Sequence, residues 1–316
     1  MRKFKKIIMS GFVKDDLGEK EWDRLRTLSE SILLSKDTSE IKSNLIDCDC
    51  LLVKLGATVD KQMIDRAPGL KYIGMFGTGY GRIDADYAAK KAITVCNIAG
   101  YSREGVAELA FGFLIEHLRE IVRARTQVVR GDYSESTFAG TEIKGKKFGV
   151  IGLGSIGSRI AEIAKNGFGA DVSYWSRNRK KEAEKNGIKF DEVNSLLKNS
   201  DFISLNLSQT PQTKYFIDKK KIDLINPGAI FINLAPMELV DIDALEERLK
   251  RDDITFILDH SDELSEIDAK RLSKYKNCLI YPAIGYITKE STIAKKVMFV
   301  ENIENFLLGK PSNQVN

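Results

Sequence analysis

Histidine, cysteine and long apolar runs are scarce in this 316-residue chain. No stretch approaches the ~20 consecutive apolar residues that a membrane span needs, which argues against a membrane partner. The opening Met1-Arg2-Lys3-Phe4-Lys5-Lys6 carries the charge of a signal-peptide n-region. The apolar run after it, Ile7 to Met9, is far too short for an h-region, and Lys14-Asp15-Asp16 follows closely. The expected location is therefore cytoplasmic. Charge of one sign is lacking too. There are 49 Lys+Arg against 45 Asp+Glu, a net charge of +4, and the excess is spread without a basic tail. Nucleic acid is not an expected partner. Four cysteines are present, at 48, 50, 96 and 278. Cys48 and Cys50 have a one-residue spacer and no second Cys/His pair nearby, so no metal site is expected. On a strand the two would point to one face, as small residues in a reducing compartment.

What is present is an ordinary globular balance, 43% hydrophobic and 30% charged, long enough for two domains. Strands are expected at Lys6–Met9, Cys50–Val53, Lys71–Phe76 and Ile93–Cys96, with a helix over Glu19–Ser31. Strands separated by helical patterns predict a parallel sheet covered on both faces. A long helix is expected from an N-cap at Ser102, with apolar residues at Val106, Leu109, Ala110, Phe113, Leu114 and Leu118, ending at Gly131. A second α/β series follows, with strands near Phe148–Ile151, Val172–Trp175, Phe202–Leu205, Ile230–Asn233, Phe256–Leu258 and Leu279–Tyr281. Thr292–Leu308 reads as a helix returning to the first domain. The expected domains are 1–100, 101–288 and, rejoining the first, 289–316.

The clearest motif is Gly152-Leu153-Gly154-Ser155-Ile156-Gly157. It follows an apolar strand and opens a helical pattern, the context in which G-x-G-x-x-G binds a dinucleotide. Gly152 permits the tight turn, Gly154 lets backbone approach the pyrophosphate, and Gly157 allows close helix–strand packing. The first amides of the helix, at Ser155 and Ile156, face the anion. An Asp or Glu ordinarily ends the second strand and takes the ribose 2′-hydroxyl of NAD. Here Ser176 stands there, followed by Arg177 and then Arg179. A carboxylate would repel a 2′-phosphate, whereas these residues could hold one, so NADP is preferred and NAD remains compatible. The alternative is a solvated basic turn.

Further segments resemble the D-isomer-specific 2-hydroxyacid dehydrogenases over nearly the whole length. Gly77-Thr78-Gly79-Tyr80-Gly81-Arg82-Ile83-Asp84 resembles the family's substrate loop, which implies that amides around Thr78 and Gly79 take a substrate carboxylate. Val106-Ala107-Glu108 is similar to its V-A-E at the start of the interdomain helix. Thr210-Pro211-Gln212-Thr213 is similar to T-P-x-T, placing Thr210 at the cofactor, and Asn226–Asn233 resembles K-P-G-A-x-x-I-N. Gly309-Lys310-Pro311 is also typical. The resemblance implies a Rossmann-type, doubly wound cofactor domain inserted in a smaller flavodoxin-like α/β substrate domain. It also implies a homodimer formed through the cofactor domains, and it places Asp259 near the nicotinamide carboxamide.

The same resemblance exposes what is missing. The family clamps its 2-oxo acid with an Arg, protonates the new alkoxide with a His and holds that His charged with a Glu. The Arg position is Pro236 and the His position is Ala283. The Glu offset falls on Leu264, with Glu263 one residue earlier. Loss of a general acid costs ~10²–10⁴-fold in rate and loss of an oxyanion donor ~10²–10³-fold, and the two do not simply multiply. Candidate substitutes are Lys54, at the end of a strand where the family often has a basic residue, and the phenols of Tyr281 and Tyr286. Each has a plain alternative, a solvated strand end for Lys54 and core packing for the tyrosines. His260 is expected to point away from Asp259 into a loop, and His117 to be a packing or dimer-contact residue.

Three functions follow. One is an NAD(P)-dependent oxidoreductase with a non-standard site and an atypical small-molecule substrate. Another is a non-catalytic dinucleotide-binding or sensing dimer. The third, an ordinary glyoxylate or hydroxypyruvate reductase, requires a different alignment around Pro236 and Ala283.

Overall fold

Tyr72-Ile73-Gly74-Met75-Phe76 is buried at every position, the mark of a strand covered on both faces. The structure, a computed structural model, describes residues 3–36, 38–54, 56–210 and 212–316. The chain divides into two compact units, one of residues up to Tyr101 together with Thr288–Asn316, the other Ser102–Ile287.

The first unit holds five parallel strands, β1 (Phe4–Ser10), β2 (Ser29–Ser35), β3 (Cys50–Lys54), β4 (Tyr72–Phe76) and β5 (Thr94–Cys96), in the order β2-β1-β3-β4-β5. This is the flavodoxin-like order, whose direction of growth reverses between β1 and β3. One face buries Phe4, Phe12, Leu52 and Tyr72 against Phe299, Val300 and Ile303 of the C-terminal helix Lys289–Leu307. The other buries Ile8, Leu51, Val53 and Ile73.

β2 corrects the sequence reading. The helix expected over Glu19–Ser31 ends at Thr27, and Ser29 already opens the strand. Ser29-Glu30-Ser31-Ile32-Leu33-Leu34-Ser35 is an edge strand without clean alternation, so its period carried no signal. Cys48 and Cys50 are a second correction. Cys48 caps a 3₁₀ turn before β3 rather than lying on it, and the two cysteines enter cores on opposite sheet faces. All four cysteines are free thiols.

The second unit holds seven parallel strands, β6 (Lys147–Ile151), β7 (Asp171–Trp175), β8 (Lys189–Phe190), β9 (Phe202–Leu205), β10 (Ile230–Asn233), β11 (Thr255–Leu258) and β12 (Cys278–Ile280). Their order is β12-β11-β10-β9-β6-β7-β8, with β8 an edge strand unmarked in the sequence. Two apolar cores cover the two faces of this sheet. The order reverses between β6 and β9, where ligands of open α/β sheets bind, beyond the carboxyl ends of the strands.

The long helix is two helices. Arg103–Arg119 ends at Glu120, which takes a left-handed backbone (φ 48°), and Ile121–Val129 restarts. The buried apolar spacing stops near Leu118, and Ile121, Val122, Val128 and Val129 are exposed. Ser102 precedes the first helix without a side-chain cap bond.

Candidate functional site

β6 runs into Gly152, whose φ of +95° favours glycine and whose N–H donates to Trp175 O at 2.8 Å. The helix Ser155–Glu162 begins at once, with Gly154 as its uncapped N-cap. A Cβ on Gly157 would lie 2.0 Å from the Gly152 carbonyl oxygen, so the helix closes on the loop only because that atom is missing. A Cβ on Gly154 would meet nothing within 4 Å. Gly154 therefore borders open space that a pyrophosphate needs, next to the first free amides of a helix. Asn206, just past β9, donates its N–H to Ile151 O at 2.8 Å, while its buried Oδ1 has no hydrogen-bond partner. Both flanks of the reversal point thus fit a dinucleotide.

The end of β7 divides its basic residues. The Ser176 hydroxyl donates to Asn178 O at 2.6 Å, so its proton is directed into its own turn rather than outward. The Arg179 guanidinium is held by Glu184 (Nε–Oε1 3.0 Å) and stacks over the Phe190 ring. Arg177 is exposed. Arg177 and Arg179 are both exposed, and among the described residues Arg177 is the one of the two without an ion pair. Thr210 is tied to Thr213, whose hydroxyl accepts the Thr210 N–H at 2.7 Å. Pro211 of that motif lies outside the described residues.

Beyond β10 and β11 stand the positions where the family pattern breaks. Pro236 opens a 3₁₀ turn, Met237–Leu239. The Met237 N–H donates to Glu263 Oε2 at 2.8 Å, so the acid present here is Glu263, while Leu264 packs into the core. Burial pushes the Glu263 carboxyl up, and the Met237 N–H and His260 oppose that shift. Asp259 is 2% exposed and accepts the N–H groups of Ile284 and Gly285 at 3.1 and 3.2 Å. Burial raises its carboxyl too, against those two bonds. His260 Nδ1 is buried without a hydrogen bond, 3.7 Å from Asp262 and 3.8 Å from Glu263. His260 is thus drawn into this acidic turn.

The two tyrosines part company. The Tyr281 hydroxyl donates to Glu116 at 3.2 Å, and its ring stacks on Phe113 at 4.3 Å. Burial, reinforced by Glu116, pushes its phenol up to about 12. Tyr281 is committed to packing against the Arg103–Arg119 helix and is a poor acid. Tyr286 is partly exposed, one residue beyond the Gly285 amide bound to Asp259. Ala283, half-buried, offers no proton. His117 packs inside the unit, its Nε2 3.3 Å from Thr255 Oγ1, and burial lowers its pKa.

In the first unit, Lys54 Nζ donates to both oxygens of Asp16, at 2.8 and 3.0 Å. Thr78 is fixed by its own hydroxyl to Ile98 O (2.9 Å) and by Asn97 Nδ2 to its carbonyl (2.7 Å). Gly79 follows, exposed. β3 and β4 are parallel neighbours, so Lys54 and the Thr78–Gly79 loop lie at the same, carboxyl end of the sheet. Sequence reasoning missed Asn206 and Asp16. Asp16 stood out only as part of the charged Lys14-Asp15-Asp16 stretch, and Asn206 lacked any motif. Among the described residues no group of three or more His, Cys, Asp or Glu could hold a metal. No helix there is long and apolar enough to cross a membrane.

The family model for the NAD-binding domain of D-isomer-specific 2-hydroxyacid dehydrogenases matches residues 111–285. A glyoxylate reductase of Thermococcus litoralis is 36% identical over 280 residues, 85% of this chain and 84% of that protein. Among solved structures, an acyclic imino acid reductase in complex with NADPH and D-Arg is 27% identical, with a TM-score of 0.84 over 98% of this chain and 100% of the other. A D-lactate dehydrogenase from Aquifex aeolicus, complexed with NAD and lactic acid, is 25% identical with a TM-score of 0.84 over 96% of each chain. The chain belongs to the D-isomer-specific 2-hydroxyacid dehydrogenase family of NAD(P)-dependent oxidoreductases.

Proposed function

We propose that this chain reduces the C=N bond of a small 2-imino acid with NADPH, rather than the C=O of an ordinary 2-oxo acid. The observation that carries this reading is the pairing of a complete nucleotide cradle with Pro236 and Ala283 where an arginine and a histidine would stand. Gly152, Gly154, Ser155, Ile156 and Gly157 would hold the pyrophosphate, Thr210 and Asp259 would line its nicotinamide side, and Arg177 would meet the 2′-phosphate. When bound, the nicotinamide supplies a hydride.

The chemistry explains why the empty positions are tolerable. Hydride addition to a ketone leaves an alkoxide that needs a donor and an acid. Addition to a protonated imine carbon moves the C=N π pair onto nitrogen and leaves a neutral amine, which takes its next proton from water. No oxyanion forms, so neither a clamp nor a histidine acid is required. The similarity to the imino acid reductase is in keeping with this choice. Thr78 and Gly79 would bind the substrate carboxylate, with Lys54 at the same end of that sheet, and of the two phenols Tyr286 is the one not committed to packing.

Dimerisation is part of the proposal, through Ile121–Val129 and the segment after it, where Val122, Val129 and Tyr133 are 60%, 81% and 77% exposed. So is a cytoplasmic location, since four free thiols suit a reducing compartment. The test is NADPH oxidation against glyoxylate, hydroxypyruvate, aldehydes and preformed 2-imino acids. Turnover confined to imines supports the reading. Tight NADPH uptake with no turnover on any of them would instead favour a nucleotide sensor.

A further inference from the structure

The first unit carries a second lysine near the carboxyl ends of its strands, over the last residue of β4. Lys295 lies on the C-terminal helix, one turn before Phe299. Phe299 packs on Phe12 and Phe76, at 5.7 and 4.9 Å between ring centroids, and those two rings are 5.3 Å apart. Lys54 Nζ stands 5.9 Å from the Phe12 centroid, and Lys295 Nζ 4.3 Å from that of Phe76 and 5.6 Å from that of Tyr101. Two ammonium groups therefore top one aromatic cluster, beyond the ends of β1, β3 and β4.

Their partners are unequal. Asp16 takes Lys54 in a two-oxygen contact. Among the described residues, Lys295 has ring contacts but no hydrogen bond or ion pair to an oxygen. The cluster holds two cations and one carboxylate, which leaves one positive charge over. Phe76 leads directly into Gly77-Thr78-Gly79. Among the described residues, the amides of Thr78, Gly79 and Tyr80 donate to no protein acceptor. A half-buried ammonium without an oxygen partner, over the ring that leads into a loop of unused amides at the carboxyl end of a strand, has the chemistry an anion needs.

We propose that Lys295 is the cation that binds the substrate carboxylate, with the Thr78–Tyr80 amides completing the site and Lys54 steered by Asp16 to its rim. This rests on the reading given above and adds which residue recognises the substrate's acid group. Burial holds the Lys295 ammonium below its ordinary range, Lys54 adds to that, and Asp16 opposes it. An incoming carboxylate would relieve the repulsion. Lys295 carries no motif, because its neighbours Phe76 and Tyr101 are far away in the chain.

Calorimetric titration with oxamate, a non-reacting 2-oxo acid analogue, tests this on NADPH-loaded protein. Lys295→Met keeps the apolar stem over the rings and removes the charge, and Lys295→Arg keeps the charge. Oxamate affinity should fall roughly ten- to a hundredfold in Lys295→Met and survive in Lys295→Arg, with NADPH uptake equal in all three proteins. Equal oxamate affinity in Lys295→Met and the native chain would overturn the proposal, as would native protein that takes NADPH but no oxamate. If the native chain took no NADPH, the reading of its function would fail instead. The same titrations on the free protein would still decide the role of Lys295.

Discussion

The backbone N–H of Met237 donates to the Glu263 carboxylate at 2.8 Å, which ties the turn after Pro236 to the turn after β11. Glu263 is buried enough for its carboxyl to be pushed up. A raised carboxyl means that folding takes up protons there. Its contribution to stability is full below the unfolded-state pKa of about 4.3 and is lost as pH rises through the folded value. Glu263→Gln keeps an oxygen for Met237 but does not ionise. The Tm of this variant, relative to the native chain, should therefore rise from about pH 4 to about pH 8. Glu263→Ala leaves a buried N–H unpaired and should cost about 1–3 kcal/mol across that range by denaturant melts.

The glycine loop separates a packing role from a binding role. Gly157→Ala drives a Cβ to 2.0 Å from the Gly152 carbonyl oxygen, so both Tm and NADPH affinity should drop. Gly154→Ala meets no protein atom within 4 Å and its φ is negative. Its Tm should stay near native while NADPH affinity falls at least tenfold, read by quenching of Trp175 fluorescence.

Arg177 and Arg179 lie two residues apart and should behave differently. Arg177→Ala should weaken NADPH binding by roughly tenfold and leave NADH binding unchanged, since the contact at stake is a charge-assisted bond to a phosphate. Arg179→Ala should change the NADPH-to-NADH ratio little, because its guanidinium is spent on Glu184 and Phe190.

If the exposed apolar face of Ile121–Val129 is a subunit contact, charge placed on it should prevent association. Sedimentation of the native chain should give a dimer, and a Val122→Asp, Val129→Asp double variant a folded monomer.

How much of this was legible in the sequence depended on how local each signal is. The six strands expected at Phe148–Ile151 through Leu279–Tyr281 appear within a residue or two, since each is a short buried run between turn residues. The glycine loop was equally plain, because three glycines in six residues report one local backbone path. Edge strands β2 and β8 were not, as neither carries a run of buried apolar residues. The break at Glu120 was hidden because helix propensity continues across it. In the site, Ser176 was assigned an outward role that its bond to Asn178 does not support. Tyr281 looked like a proton donor beside Ala283 until its partner Glu116, far off in the chain, was placed. Glu263 was ambiguous by one residue, and only its bond to Met237 distinguishes it from Leu264. Interactions between distant segments are what the sequence conceals.

The most direct measurement compares one 2-oxo acid with its own imine. NADPH oxidation is followed with glyoxylate alone and then with glyoxylate plus excess methylamine, at matched pH and ionic strength. Turnover that appears or rises at least a hundredfold with the amine is the expected result, since only the imine avoids the need for an acid at Ala283 and a clamp at Pro236. Ordinary, amine-independent reduction of glyoxylate would contradict the account.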